Sequence, residues 1–397
     1  MQQRPGQRPA PASGAPKPPL SQFLSRVLIF LLTAALILGA VAAVVYRDQL
    51  NLDSIKRWFH YRSLVLSDSG QAESFRYDGA LEDTFATLNG DLLVCSTNTL
   101  SLYSGSGTCY VSQSVSMDNP VVSTNGSQAV VYDAGGSSLY VLGQRALIWK
   151  GEDLDCILSA HLNRSGQLTV VTQASGYRGR VTVYSSDFVP LMQVNLSSAF
   201  VTDGTLSDDG KTLGIVTIGQ EDGAFASTLS LYSMNTQDSG SFTPDTTCPL
   251  DNGVVLESKH TASRLWLLGD QGLTIADHQG NPTTVSWNGM HLKRYALSGR
   301  DFATVLLGKY RAGSQAQLWT IDSQGERHTL EINQQVLSLA AAGRYVAVLT
   351  GDRLDIYTSD LELYASLEGT RGARTVLLTE DGSAVLLSEE TASFYVP

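Results

Sequence analysis

The chain has 397 residues, of which 16% are charged, and a net charge of −11; ordinary soluble proteins carry roughly 25% charged residues. Residues 1–26 hold Arg4, Arg8, Lys17 and Arg26 and no acid, so the remainder sets 23 basic against 38 acidic residues, a net of −15. A body that acidic repels phosphate backbones, which argues against nucleic acid as a partner.

Six of the twelve prolines fall in the first nineteen residues. Residues 1–22 read as a disordered, Pro-rich cytoplasmic tail, because Pro, Gln, Gly and Ala cannot bury enough surface to offset chain entropy. A polyproline ligand at Pro16, Pro18 and Pro19 is the alternative. Val27 to Val45 is an uncharged apolar run of nineteen residues, and with Tyr46 it is long enough for a hydrocarbon core. The segment 23–46 is therefore expected to be an uncleaved transmembrane signal-anchor, with 27–46 in the lipid bilayer. A cleaved signal peptide ending near Ala40-Val41-Ala42 competes with it, although such apolar regions usually have 7–15 residues. No cysteine closes the run, which argues against a lipoprotein. The expected placement is a single-pass cell-membrane protein with its N-terminus in the cytoplasm and residues 47–397 outside. Leu50, Leu52, Ile55, Trp58 and Phe59 recur at helical spacing over 47–62. This is read either as an amphipathic juxtamembrane helix at headgroup level or as a helix packed beneath the domain.

The body, 63–397, is a repeat. A short apolar strand recurs as Leu100–Tyr103, Leu139–Leu142, Val181–Tyr184, Leu229–Tyr232, Leu273–Ala276, Leu318–Ile321 and Leu354–Tyr357. The steps of 39, 42, 48, 44, 45 and 36 residues match the period of a β-propeller blade. Two strands joined by a tight polar turn precede each repeat, as at Asn163–Gly166, Ser207–Lys211, 342–344 and Glu380–Ser383. Seven repeats run from about Thr84 to Thr370, and 374–396 supplies three strands more. The missing fourth strand is available at Glu73–Tyr77, so pairing 73–77 with 374–396 would close the ring and remove its exposed edges. The fold expected is all-β, an eight-bladed propeller after one transmembrane helix; seven blades is the alternative if the first blade is shared differently.

Three segments carry a likeness to a known family: Arg47-Asp-Gln-Leu-Asn-Leu-Asp-Ser-Ile-Lys-Arg-Trp58, Ser175-Gly-Tyr-Arg-Gly-Arg-Val-Thr-Val-Tyr184 and Gly308-Lys-Tyr-Arg-Ala-Gly-Ser314. With them the chain resembles the bacterial domain-of-unknown-function family 5711 over nearly its whole length after the tail. The resemblance implies a single-pass membrane protein with a propeller-type ectodomain. It implies no activity and no catalytic residue.

Chemistry has no local signature. The histidines (60, 161, 260, 278, 291, 328) form no i, i+4 pair, and Cys-x-x-Cys is missing, so no metal site is expected. The acidic turns lack the ligand alternation of calcium loops. No nucleophile elbow, phosphate-binding loop or dinucleotide fingerprint occurs, so neither a cofactor nor a catalytic residue is assigned. Cys95 and Cys109 are expected on the second and fourth strands of one blade, beyond bridging distance. All four cysteines, with Cys156 and Cys248, are read as buried thiols packing as small apolar groups.

One constellation stands out. The hairpins between second and third strands are long in blades 3, 4 and 6, and two share a tip, Gly176-Tyr177-Arg178-Gly179 and Lys309-Tyr310-Arg311-Ala312-Gly313. Tyr and Arg dominate binding hot spots because they combine area, planarity and hydrogen bonding. Tyr177, Arg178, Tyr310 and Arg311 are the candidate binding residues for a protein or cell-envelope ligand on one propeller face. The glycines shaping turns while Tyr packs on its own blade is the structural alternative. An extracytoplasmic glycan- or peptide-directed hydrolase or lyase, with a site gathered from several blades at the propeller mouth, is the functional alternative.

Overall fold

Each recurring apolar tetrapeptide is the third strand of a four-stranded antiparallel sheet, and there are eight such sheets. A computed structural model of the protein describes residues 27–34, 53, 57, 61–62, 64–80, 83–152, 154–221, 223–234, 243–261 and 263–397. Blades 1 to 7 run over 84–114, 120–150, 157–196, 200–250, 255–286, 291–332 and 338–368. Blade 8 uses Thr375–Leu378, Ala384–Leu387 and Thr391–Tyr395, and takes its outermost strand, Phe75–Arg76, from the other end of the chain. The first strand of each blade lies innermost, and blade 8 stands beside blade 1. The molecule is an eight-bladed β-propeller.

The core is divided into eight apolar clusters, one at each blade interface. Strand periodicity explains how one strand serves two of them. In blade 1, Leu92 and Val94 face blade 8 while Leu93 and Cys95 face blade 2. In blade 7, Val346 and Val348 face blade 6 while Ala347 and Leu349 face blade 8. The second strands are therefore apolar on both sides, and each fully buried Leu or Val adds about 1.5–3 kcal/mol over an exposed one. The polar turns between first and second strands hold glycine where φ is positive, as at Gly210 (φ 70°) and Gly382 (φ 84°). A side chain there would be strained in that backbone conformation.

Closure depends on the chain ends. Phe75 pairs with Ala392 and Arg76 with Thr391. The Ala72 amide donates to the Phe394 carbonyl at 2.7 Å and the Val396 amide to Gly70 at 2.9 Å. Phe394 is fully buried, with the Tyr61 ring 6.0 Å away and the Phe75 ring 6.4 Å away. Arg57 donates to the carbonyl of Pro397 at 2.8 Å and to the Tyr364 hydroxyl at 2.6 Å.

The chain divides at residue 55 into two units. In the first, residues 27–34 are helical. No helix among the described residues is long and apolar enough to cross a membrane. The tail 1–22 and most of the expected anchor 23–46 lie outside the described residues. Of 47–62, the helical positions Asp53, Arg57 and Tyr61 are described, with Arg62.

The expectation of four buried thiols is corrected. All four cysteines are free, but only Cys95 is buried; Cys109 is exposed and Cys156 and Cys248 are half-buried. The reason is position. Cys95 lies on a second strand, between two cores, where burial pushes its thiol up to about 12. Cys109 and Cys248 lie on fourth strands at the rim, and Cys156 in the link before blade 3.

Candidate functional site on the upper face

The hairpins between second and third strands and the links between blades emerge on one side, called here the upper face. The turns joining first to second and third to fourth strands emerge on the other. Both expected tips lie on the upper face, in blades 3 and 6, three blades apart. In blade 3, Tyr177 pairs with Ala174 around Gly176 and is 46% exposed. The Arg178 guanidinium lies 4.5 Å over the ring of Phe200, the first residue of blade 4. In blade 6, residues 309–315 form the loop between Phe302–Gly308 and Ala316–Asp322. There Tyr310 is 67% exposed, with the Lys309 ammonium 5.6 Å from its ring centre.

Three further exposed apolar side chains belong to this face: Phe200, Phe225 at the blade 4 hairpin and Leu256 at the start of blade 5. With Tyr177 and Tyr310 they place an exposed apolar side chain on each of blades 3 to 6. Sequence reasoning passed over them because a single Phe or Leu in a strand carries no mark of exposure. Phe225, two residues from Gly223 in a hairpin, was the one readable hint.

Beside the blade 6 loop lies a groove of about 1040 Å³. Its walls come from the link between blades 5 and 6, the innermost strand and hairpin of blade 6, and the link to blade 7. Trp287 is buried beneath it, its indole donating to the Gly269 carbonyl at 3.2 Å. Arg311 lines the groove. Lys293 reaches across to the Gly313 carbonyl at 2.5 Å and holds the loop in place.

The innermost strands of blades 3 to 6 share a device that sequence reasoning missed. Pairing with the second strand slips by one residue between Ile157 and Ser159, Val201 and Asp203, Val255 and Glu257, and Leu292 and Arg294. A bulge at this point re-aims the side chains around it, and here a polar network follows. His161 Nε2 lies 2.8 Å from Asp203, which also accepts from the Ser258 hydroxyl at 2.6 Å and the Gly204 amide at 2.8 Å. The Ser123 hydroxyl is 3.4 Å from the other imidazole nitrogen. These side chains link blades 2, 3, 4 and 5 in turn.

Burial alone would raise the Asp203 carboxyl and lower the His161 imidazole. The opposite charge and hydrogen bonds reverse both, holding Asp203 near 2 and His161 above its ordinary value. Burial pushes the neighbouring Glu257 up, helped by the Asp203 charge, while His161, Lys259 and a hydrogen bond from Tyr295 oppose it. Burial likewise pushes Lys259 down; its ammonium donates to the carbonyls of Leu297 at 2.8 Å and Gly299 at 3.1 Å. Ser123, His161 and Asp203 have the residue types of an acyl-transfer triad. Asp203, however, is already saturated by strands on either side, so the set braces the inner wall. On the opposite face Glu380 meets Arg300 at 3.1 Å and Arg164 at 3.9 Å, joining turns of blades 8, 6 and 3. No group of three metal-binding side chains exists among the described residues.

The chain is similar in fold to several solved structures. They include the C-terminal WD40 domain of Sif2 (TM-score 0.57, 13% identity, 82% of this chain and 98% of that one). BamB from Moraxella catarrhalis matches with a TM-score of 0.50 and 16% identity over 84% of this chain and 100% of that one. At such identities the likeness is one of fold. No curated protein matches the chain in sequence. The model of a family of unknown function, DUF5711, matches residues 68–390, most of the propeller, and the chain belongs to that family.

Proposed function

We propose that this protein is a membrane-anchored, extracytoplasmic binding module. Its upper face would hold a protein or cell-envelope ligand through Tyr177, Arg178, Tyr310 and Arg311. The observation that carries this reading is the set of exposed aromatic and apolar side chains on one face of blades 3 to 6, with Arg178 and Arg311 on the same hairpins as Tyr177 and Tyr310. Apolar side chains at hairpin tips contribute little to folding, and clusters of them mark interaction surfaces. Arg57 and Tyr61, just before the propeller, pack against Pro397 and Phe394 on the opposite side of the ring and take up none of the upper face.

The anchor is the uncharged run Val27–Val45. External protease on intact cells should release the body and spare the tail; a mature protein beginning near Ala43 would remove the anchor from the proposal. For the ligand, the native protein is captured from its envelope with bound partners. Tyr177→Ala with Arg178→Ala, and Tyr310→Ala with Arg311→Ala, are then titrated against the partner. Each pair should cost about 1–2 kcal/mol in binding; unchanged affinity in both would overturn the reading.

A second reading has one observation in its favour. Asp203 and Glu257, on neighbouring innermost strands, are driven in opposite directions, the pattern of acid–base pairs in hydrolases. A glycan- or peptide-directed enzyme would use Glu257 as proton donor. Turnover of a fluorogenic glycoside or peptide panel, abolished by Glu257→Gln, would support it, and no turnover by the native protein would dismiss it.

A further inference from the structure

We propose that the groove beside the blade 6 loop is a docking site for an extended, carboxylate-bearing segment of a partner protein. This rests on the binding-module reading and names its ligand class. Size is the first argument. At about 1040 Å³ the groove lies at the upper limit of small-molecule sites, roughly 300–1,000 Å³, and has room for a stretch of chain.

Charge is the second. The groove is lined by Lys293, Arg294, Arg311 and His291 against a single acid, Asp270, and the Asp270 carboxylate is already engaged by the Val254 amide at 2.8 Å. In a body with 23 basic and 38 acidic residues, this cationic lining is complementary to an acidic ligand and repels a basic one. Arg294 is tied to the Val336 carbonyl and Lys293 to Gly313. No side chain among the described residues pairs with the exposed Arg311. Its guanidinium can take a carboxylate in a bidentate pair.

Backbone geometry is the third. The residues skipped by the bulges of blades 5 and 6 are Leu256 and Lys293, and both line the groove. The two bulges thus present one apolar and one cationic side chain to the same cleft. An extended ligand directs alternate side chains to opposite sides. Its apolar residues would rest on Leu256 and Met290 while its carboxylates reach Arg311 and Lys293. Leu256 and Met290 beside the cationic side chains offer apolar contacts that a lipid headgroup would leave unused, which favours a polypeptide.

The test uses the full chain in detergent micelles and fluorescein-labelled ten-residue peptides in which Leu alternates with Glu, Gln or Lys. By fluorescence anisotropy the Glu peptide should bind, more weakly as salt rises, and the Lys peptide should not. Arg311→Gln and Leu256→Ser should each weaken it about tenfold, equivalent to 1.4 kcal/mol, with melting temperatures unchanged. Leu363→Ser, an exposed apolar position on the opposite face, should leave the peptide affinity as it was. Equal binding of Glu and Lys peptides, or full affinity in Arg311→Gln, overturns the proposal. So does Arg311-dependent binding of phosphatidylglycerol vesicles with no peptide bound. A captured partner sensitive to the blade 3 pair but not to Arg311→Gln discards the groove and leaves the binding module standing.

Discussion

The two halves of the ring solve the same packing problem with different inner walls. The innermost strands of blades 7, 8, 1 and 2 read Ser-Leu-Ala-Ala-Ala, Thr-Val-Leu-Leu, Thr-Phe-Ala-Thr-Leu and Pro-Val-Val-Ser-Thr, without one charge. Their pairing to the second strands is unbroken. Those of blades 3 to 6 contain His161, Asp203, Glu257, Lys259, His260, His291, Lys293 and Arg294, and all four are bulged. The exposed aromatics of the upper face and the groove lie over this second half. One half carries closure, the other carries polar chemistry, although both bury the same kind of core. On the innermost strands, bulges and charged side chains are confined to these four consecutive blades; such features cost stability and are usually kept where a function needs them.

The comparison can be broken hardest at closure. Deleting residues 391–397 removes the strand between Phe75–Arg76 and Ala384–Leu387. It should abolish cooperative unfolding of the ring, read by denaturant titration; a truncated chain that melts like the native protein would show that blade 8 is not the clasp.

The next test exchanges the chemistry of the two halves. Asp203→Ala strands His161 and Ser258 and should cost about 3–5 kcal/mol, the usual loss when one partner of a buried pair is removed. The reverse change, Ala86→Asp at a buried position on the innermost strand of blade 1, places a carboxylate in the apolar core and should also destabilise. If blade 1 accepts the charge at no cost, the two inner walls are not physically different.

A subtler contrast is titration. His260 is buried and held down to about 4, first by burial and further by His278. The unfolded chain binds its proton near 6.5, so the His260 contribution falls as pH drops from about 6.5 to 4. His161 is shifted the other way. Its contribution is fully present below about 6.5 and is lost as pH rises through the raised value. Melting curves at constant salt should therefore give opposite slopes. The advantage of the native protein over His260→Gln narrows towards acid, and its advantage over His161→Gln narrows towards alkali. Parallel slopes would mean that the two imidazoles share one environment.

The smallest stability effect is expected at the upper face. Phe225→Ser and Tyr310→Ala should change stability by no more than about 0.5 kcal/mol, as surface positions do. A large loss of melting temperature in either would mean that the exposed set is part of the fold rather than a contact surface.

The eight blades were legible in the chain because they are local. A third strand every 36–48 residues, a Gly-containing turn before it and strands apolar on both faces follow from backbone sterics and strand alternation. Leu92-Leu93-Val94 announces a sheet packed on two sides whatever its neighbours are. The tips Tyr177–Arg178 and Tyr310–Arg311 were legible for the same reason, since a hairpin is a local object. What surrounds them was not. The contact of Arg178 with Phe200, the reach of Lys293 to Gly313 and the bond of His161 to Asp203 join different blades or loops. The slip of register that re-aims Leu256 and Lys293 has no local signal, because a bulge is decided by how two strands meet. The exposure of Cys109 was misread although its fourth strand was legible: a thiol's burial was read from its residue type, and only the ring decides which strand has a neighbour on both sides.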